Sequence, residues 1–309
     1  MTVCSLGYVR IEAAALEPWR HFACQVLGLM EVVPSQNTDG NNLPVDSLQL
    51  KMDAYPYRFH IVKGEQDRFL LPGWELDSAA SFNALVQKLI DLGLACEIGS
   101  DHEAQCRQVR KFAKAADPTG ASFEFFYGMR LDYEPLISPV GVKTFVTGHN
   151  GDMGLGHIAI STPDIATSHQ FYTHVLGFAQ TDYMHFRFSD DVNDAGQGLH
   201  FLHCNNPRHH SLALFEDSTM LSGSMIHLMI EVPDLDHLGL MMDRVKQHNI
   251  AIVNSLGKHT NDEMISIYVE SPAGFAIEYG FGGLQVDWQH YLVTESAKAS
   301  LWGHNWNHK

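Results

Sequence analysis

A duplicated pattern constrains this chain more than any other feature. When Gly7-Tyr8-Val9 is set against Gly156-His157-Ile158, Phe22, Val26, Leu27 and Gly28 fall on Phe171, Val175, Leu176 and Gly177. At a slightly larger offset, D-P-T-G-A-S-F-E (117–124) matches S-P-A-G-F-A-I-E (271–278). Pro118, Gly120 and Glu124 then fall on Pro272, Gly274 and Glu278. Two matches in the same order, with a few residues inserted between them, indicate two copies of one unit. A chain of 309 residues has room for two such domains, each with its own core.

Each copy reads as α+β. A short strand (6–11; 155–161) leads into an amphipathic helix. In the first copy Leu16, Trp19, Phe22, Ala23, Val26 and Leu27 share one helical face. Gly28 and Gly177 are placed to end these helices in a left-handed cap. Strands follow, then a second helix (about 81–92; about 235–248), then more strands whose last pair turns at Pro-x-Gly. The unit of strand, helix and several strands therefore occurs four times. Residues 129–150 carry prolines and no clear period, as a linker would. The predicted organisation is a first domain over 1–135, a linker over 136–153, a second domain over 154–290 and a tail over 291–309.

Composition narrows the function. Twenty basic against 36 acidic residues give a net charge of −16, which repels phosphate backbones and disfavours nucleic acid and anionic membranes as partners. No apolar run reaches the roughly 18 residues of a membrane helix, and the start shows no secretory pattern. Five scattered cysteines form no C-x-x-C pair, so neither a zinc knuckle nor a disulfide framework is expected, and a reducing cytoplasm fits. Histidine is distributed unevenly. Of 19, 13 lie between 151 and 290 and four within 1–150, which points to metal or proton chemistry in the second copy.

Side-chain parity locates that chemistry, because alternate residues of a strand face opposite ways. Over 155–161, Gly156, Ile158 and Ile160 oppose Leu155, His157, Ala159 and Ser161. Over 225–232, Ile226, Leu228, Ile230 and Val232 oppose His227 and Met229. Over 275–281, Phe275, Ile277, Tyr279 and Phe281 oppose Ala276, Glu278 and Gly280. Each strand has a fatty face suited to packing under a helix and an opposite face with one residue of metal-ligand type. A lone histidine in an apolar strand is more often a hydrogen-bonded core residue. Three such residues in one pattern, His157, His227 and Glu278, instead make a facial triad, which holds divalent iron and leaves one side open. The first copy has Tyr8 in place of His157, no histidine near 69–75 and only Glu124 in common, so it is expected to be a metal-free scaffold.

Other polar residues stand near this set. In the strand after His259-Thr260-Asn261-Asp262, Met264, Ser266 and Tyr268 share the polar face, making Tyr268 a candidate for proton transfer. His209 and His210 follow a turn at Pro207, and the residues alone do not choose between them.

Together, G-L-G-H (154–157), F-L-H-C-N (201–205), R-H-H (208–210), H-T-N-D (259–262) with Tyr268, and I-E-Y-G-F-G (277–282) resemble the two-domain extradiol catechol dioxygenases. These belong to the vicinal oxygen chelate superfamily, and the likeness is greatest to the 2,3-dihydroxybiphenyl and 1,2-dihydroxynaphthalene enzymes. It covers essentially the whole chain. The resemblance implies four βαβββ modules forming two barrel-like domains, with Fe(II) on His157, His227 and Glu278. It selects His210 as the acid–base group. It implies that His259 and Tyr268 bond the substrate oxygens and that Asp262 lines the mouth of the site. Asn261 would contact substrate, and Ala159 and Phe201 would shape the ring pocket. The partners the resemblance implies are an aromatic vicinal diol, of bicyclic type, and dioxygen, with assembly into a homo-oligomer. The stretch 190–197 looks longer than in biphenyl-type enzymes.

Other readings keep the fold. A glyoxalase-like isomerase would gather more carboxylates and would not call for His210, His259 and Tyr268. A manganese dioxygenase would use the same ligands. A drug-sequestering binding protein of this superfamily is usually half as long and needs no triad.

Overall fold

The computed structural model describes residues 3–32, 46–187 and 196–305. Most of the stretch 190–197 therefore lies outside the described residues. Four βαβββ modules follow one another. They open with the strands Val3–Ala13, Arg68–Leu76, His157–Thr162 and Met225–Val232. They close with Phe59–Lys63, Ser122–Tyr127, Leu212–Glu216 and Ala276–Phe281. In every module the opening and closing strands pair in parallel. Within each half the two opening strands pair antiparallel. Among the described residues the result is an 8-stranded sheet from the first half and a 10-stranded sheet from the second.

The expected repeat extends to fine detail. The first helix of each half ends in a π-helical turn, Phe22–Leu27 and Tyr172–Leu176. Gly28 and Gly177 close these turns at φ 85° and 82°, a conformation that costs glycine little. The helices Ala79–Asp91 and Leu235–Gln247 are capped by Ser78 and Asp234, whose side chains accept from Ser81 N and His237 N. Their buried faces present Phe82, Leu85 and Leu89, and Leu238, Met241 and Val245. These faces join one continuous core with the outward sides of both sheets. Trp19 meets Phe275 at 5.9 Å and Trp74 meets Phe178 edge-on at 5.0 Å, tying the halves together.

With the helices covering one side of each sheet, the other side is left for a site. Pocket-lining residues come from near both edges of the larger sheet, Met184 and Phe186 at one and His259 at the other, so this sheet curls around a central space. The tail closes it. Its two tryptophans suggest docking on the first domain or on a neighbouring molecule; the described part of the tail pairs with the sheet of its own domain. Thr294–Glu295 adds a parallel strand beside Ala179–Phe186, and Ser300–Trp302 adds an antiparallel strand beside Ile252–His259. The tail thus straps the two edges of one sheet together. An uncovered edge exposes unpaired backbone groups, which the strap satisfies.

Candidate metal centre

His157, His227 and Glu278 stand on three adjacent strands in the middle of the larger sheet. Ala159 and Ala276 flank His227 on the two neighbouring strands and leave room for its ring. Parity places His157 and Glu278 correctly, with Ile158, Ile160, Ile277 and Tyr279 in the core behind them. It fails for Ile226, which lines the cavity beside His227 instead of packing under the helix. The cause is a β-bulge. Met225 pairs with Ile160 and His227 with Ala159, so one extra residue is inserted and the alternation shifts.

The triad closes to a small triangle. His157 Nε2 lies 3.0 Å from His227 Nε2 and 3.2 Å from Glu278 Oε2. His227 Nε2 lies 3.4 Å from the same oxygen. Ligands about 2.1 Å from one octahedral ion, at right angles, stand about 3.0 Å apart. Two imidazoles and a carboxylate at this spacing therefore fit one face of a divalent ion and leave the cavity side open. His157 is also within reach of His210 and Asp262, all offering ligand atoms within 4.8 Å. That second grouping is wider, with 4.0 Å between His210 Nδ1 and Asp262 Oδ2.

Electrostatics match the donor set. Burial, opposed by Glu278, pushes His227 down to about 3, so its ring is neutral and able to donate a lone pair. Burial works against charge on Glu278. The hydrogen bonds and charges of His157 and His259 override it and hold the carboxyl well below its usual range.

The other residues singled out in the sequence converge on the same floor. Tyr268 is the cross-strand neighbour of Glu278, and its hydroxyl lies 2.7 Å from His259 Nε2. His259 Nδ1 donates to the Ala299 carbonyl at 3.0 Å, because that oxygen can only accept. Burial opposes a proton on His259, but the Glu278 carboxylate raises it to about 9. His210 packs its ring 4.0 Å from that of His157, with Nδ1 3.1 Å from His209 Nδ1. Burial, then His157 and His209, push its pKa well down, so it is held neutral. His209 turns to Tyr291 at 3.0 Å and does not line the main cavity. Asp262 lines the cavity but is only 4% exposed, beside His210, so it is deeper than a residue of the mouth. Asn261 lines the cavity next to it.

Above this floor is a cavity of about 370 Å³. Ala159 and Phe201 line it as expected, and Phe201 meets the His210 ring edge-on at 4.9 Å. Met184, Phe186, Leu199, Ala213, Phe215 and Ala299 complete walls that residue types alone did not identify. Parity would have grouped Met184 with Phe186, and Leu199 with Phe201. Ala299 belongs to the strap and has no local signal.

Comparisons agree with this geometry. The model of the Glyoxalase/Bleomycin resistance protein/Dioxygenase superfamily matches residues 154–279, and that of dihydroxybiphenyl dioxygenase BphC D1 matches residues 6–64. An iron-dependent extradiol dioxygenase of Rhodococcus jostii (strain RHA1) is 38% identical over 99% of this chain and 98% of its own. A biphenyl-2,3-diol 1,2-dioxygenase of Metapseudomonas furukawaii is 34% identical over 98% of this chain and 94% of its own. Among solved structures, a catechol 2,3-dioxygenase superposes with a TM-score of 0.86 at 30% identity, covering 100% of this chain and 97% of the other. The chain belongs to the extradiol dioxygenases of the vicinal oxygen chelate fold.

Proposed function

We propose that this enzyme opens the ring of a bicyclic vicinal aromatic diol beside one hydroxyl, with both atoms of dioxygen entering the product, and that Fe(II) held by His157, His227 and Glu278 serves it. The triangle of three ligand atoms on one side of an apolar cavity carries this reading. The iron-dependent relative supports the choice of metal, and the biphenyl-diol relative supports a two-ring substrate. A cavity of about 370 Å³ lies within the range of small-molecule sites.

Bound iron supplies Lewis acidity toward both diol oxygens and a path for electrons to dioxygen. The chain's own residues do the rest. His259 and Tyr268 hydrogen-bond the diol oxygens as a linked pair, with Nδ1 of His259 fixed on Ala299 and Nε2 turned to the phenol. Phe201, Leu199 and Met184 hold the second ring and exclude water. His210, neutral and buried against His157, takes and returns a proton on the oxygen side.

Anaerobic loading with iron(II) and a diol, followed by air, tests this. One dioxygen consumed per diol with a yellow ring-opened product is expected. No oxygen uptake would leave an isomerase or a binding protein. A panel of dihydroxybiphenyl, dihydroxynaphthalene, methylcatechol and a steroid-ring diol ranks substrates, and repetition with manganese(II) tests the metal. We extend the proposal to a symmetric homo-oligomer, supported by exposed apolar side chains at Leu221, Leu292 and Val293. Sedimentation as a 34.6 kDa monomer would remove that part.

A further inference from the structure

The strap does more than close the sheet. Glu278 uses its two oxygens differently: Oε2 faces His157 and His227, whereas Oε1 accepts from the Ser266 hydroxyl at 2.7 Å and lies 3.2 Å from His259 Nε2. Ser266 is in turn held by His304, whose Nε2 lies 3.2 Å from Ser266 Oγ and 3.3 Å from the Ser266 carbonyl oxygen. A carbonyl can only accept, so Nε2 of His304 carries the hydrogen. Its Nδ1 is then the acceptor for the Ser300 hydroxyl at 2.7 Å. The chain of donors runs one way, from Ser300 through His304 and Ser266 to the carboxylate. The same imidazole packs at 4.2 Å against the ring of His259.

The surroundings are shaped for this ring. A Cβ on Gly257 would lie 2.5 Å from the His304 imidazole, so a glycine in that strand makes the seat. His304 is 8% exposed and sits at φ 51°, a backbone conformation that residues other than glycine seldom adopt. The strap is pinned at its other end by Asp182, whose carboxylate accepts from Thr294 Oγ1 at 2.6 Å and Ser296 Oγ at 2.8 Å.

We propose that His304, acting through Ser266, is a positioning residue that restrains Glu278 to a single metal-facing oxygen and braces His259. This rests on the assignment of Glu278 as a ligand. Groups that orient a metal ligand typically change affinity by about 10–100-fold when removed.

The test is competition between the purified full chain and a chelator for iron(II) alone, without diol or oxygen. Ser266→Ala and His304→Ala should each weaken retention by about 10–100-fold. His304→Gln retains a donor toward Ser266 and should hold iron like the wild type. Ser266→Ala leaves the tail's own contacts in place, so it separates lost positioning from a loosened strap. Unchanged retention in both alanine variants would overturn the proposal, as would a His304→Gln as weak as His304→Ala. His227→Ala serves as the reference: wild-type retention in that variant would sink the ligand assignment itself.

Discussion

The two halves present one carboxylate at one place and treat it in opposite ways. Glu124 pairs with Gly73 across a parallel ladder as Glu278 pairs with Met229. In the first half, Arg107 reaches both oxygens of Glu124 at 2.9 and 2.7 Å, Arg10 adds a bond at 3.1 Å, and Tyr8 donates at 2.5 Å. By register, Leu71 stands where His227 stands, opposite Arg10 as His227 is opposite Ala159. The cavity wall changes likewise: Arg10, His60 and Gln49 occupy the positions of Ala159, Ala213 and Phe201. A buried carboxylate needs a compensating charge. One half supplies it from its own guanidinium groups and fills the space. The other meets the carboxylate with the single imidazole of His259 on one oxygen, lines the space with small and apolar residues, and turns the second oxygen to two imidazoles in a set that fits a cation.

The comparison breaks most easily at the triad. His157→Ala or Glu278→Gln should abolish tight iron binding and with it all turnover, measured by metal content after desalting. Full iron occupancy in His157→Ala would mean that the second half does not differ from the first as argued. A smaller effect is expected at His210. His210→Asn should keep iron yet lose about 10²–10⁴-fold in kcat, the range of a general acid–base group. An unchanged kcat would confine its role to packing on His157 and Phe201.

Much of this contrast was legible in the sequence, because strand parity is local and the triad residues lie in short regular strands. Tyr8 for His157 and the lone Glu124 already distinguished the halves. What parity could not carry was a change of period. The bulge at Met225–His227 turned Ile226 into a cavity residue, and nothing in the local pattern marks it. The choice of His210 over His209 depends on the turn after Pro207, where one ring packs on His157 and the other goes to Tyr291. His304 was missed altogether. Its place is fixed by pairing of the tail with Lys258 and His259, a contact between distant segments that no short motif encodes.

In the first half the expected loss is of stability. Arg107→Met would leave the fully buried Glu124 with too little positive charge, and breaking such a pair costs about 3–5 kcal/mol. Urea unfolding of the metal-free protein measures it. The pH dependence follows from the direction of the shift. Burial favours protonation of Glu124, but the hydrogen bonds and charge of Arg107 prevail and lower its pKa. Its contribution is therefore fully present above the unfolded value of about 4.3 and fades as pH falls through the folded value. The gap between wild type and Arg107→Met should narrow below about pH 4. A gap constant with pH would mean that Arg107 stabilises by packing on Phe112, where its guanidinium lies 3.8 Å from the ring centre.

The smallest effect sharpens the comparison most. Tyr8→His restores the imidazole at the position of His157, yet the metal stoichiometry should not change. Two obstacles persist after the substitution. Leu71 offers no ligand atom, and both Glu124 oxygens are still engaged by Arg107. A second metal bound by Tyr8→His alone would show that a guanidinium pair yields to an incoming cation, and that the first half lacks only one residue. If stoichiometry rises only when Leu71→His and Arg107→Met are added, then the difference between the halves lies in the balance of charge around one carboxylate. The presence of a histidine is then necessary but not sufficient.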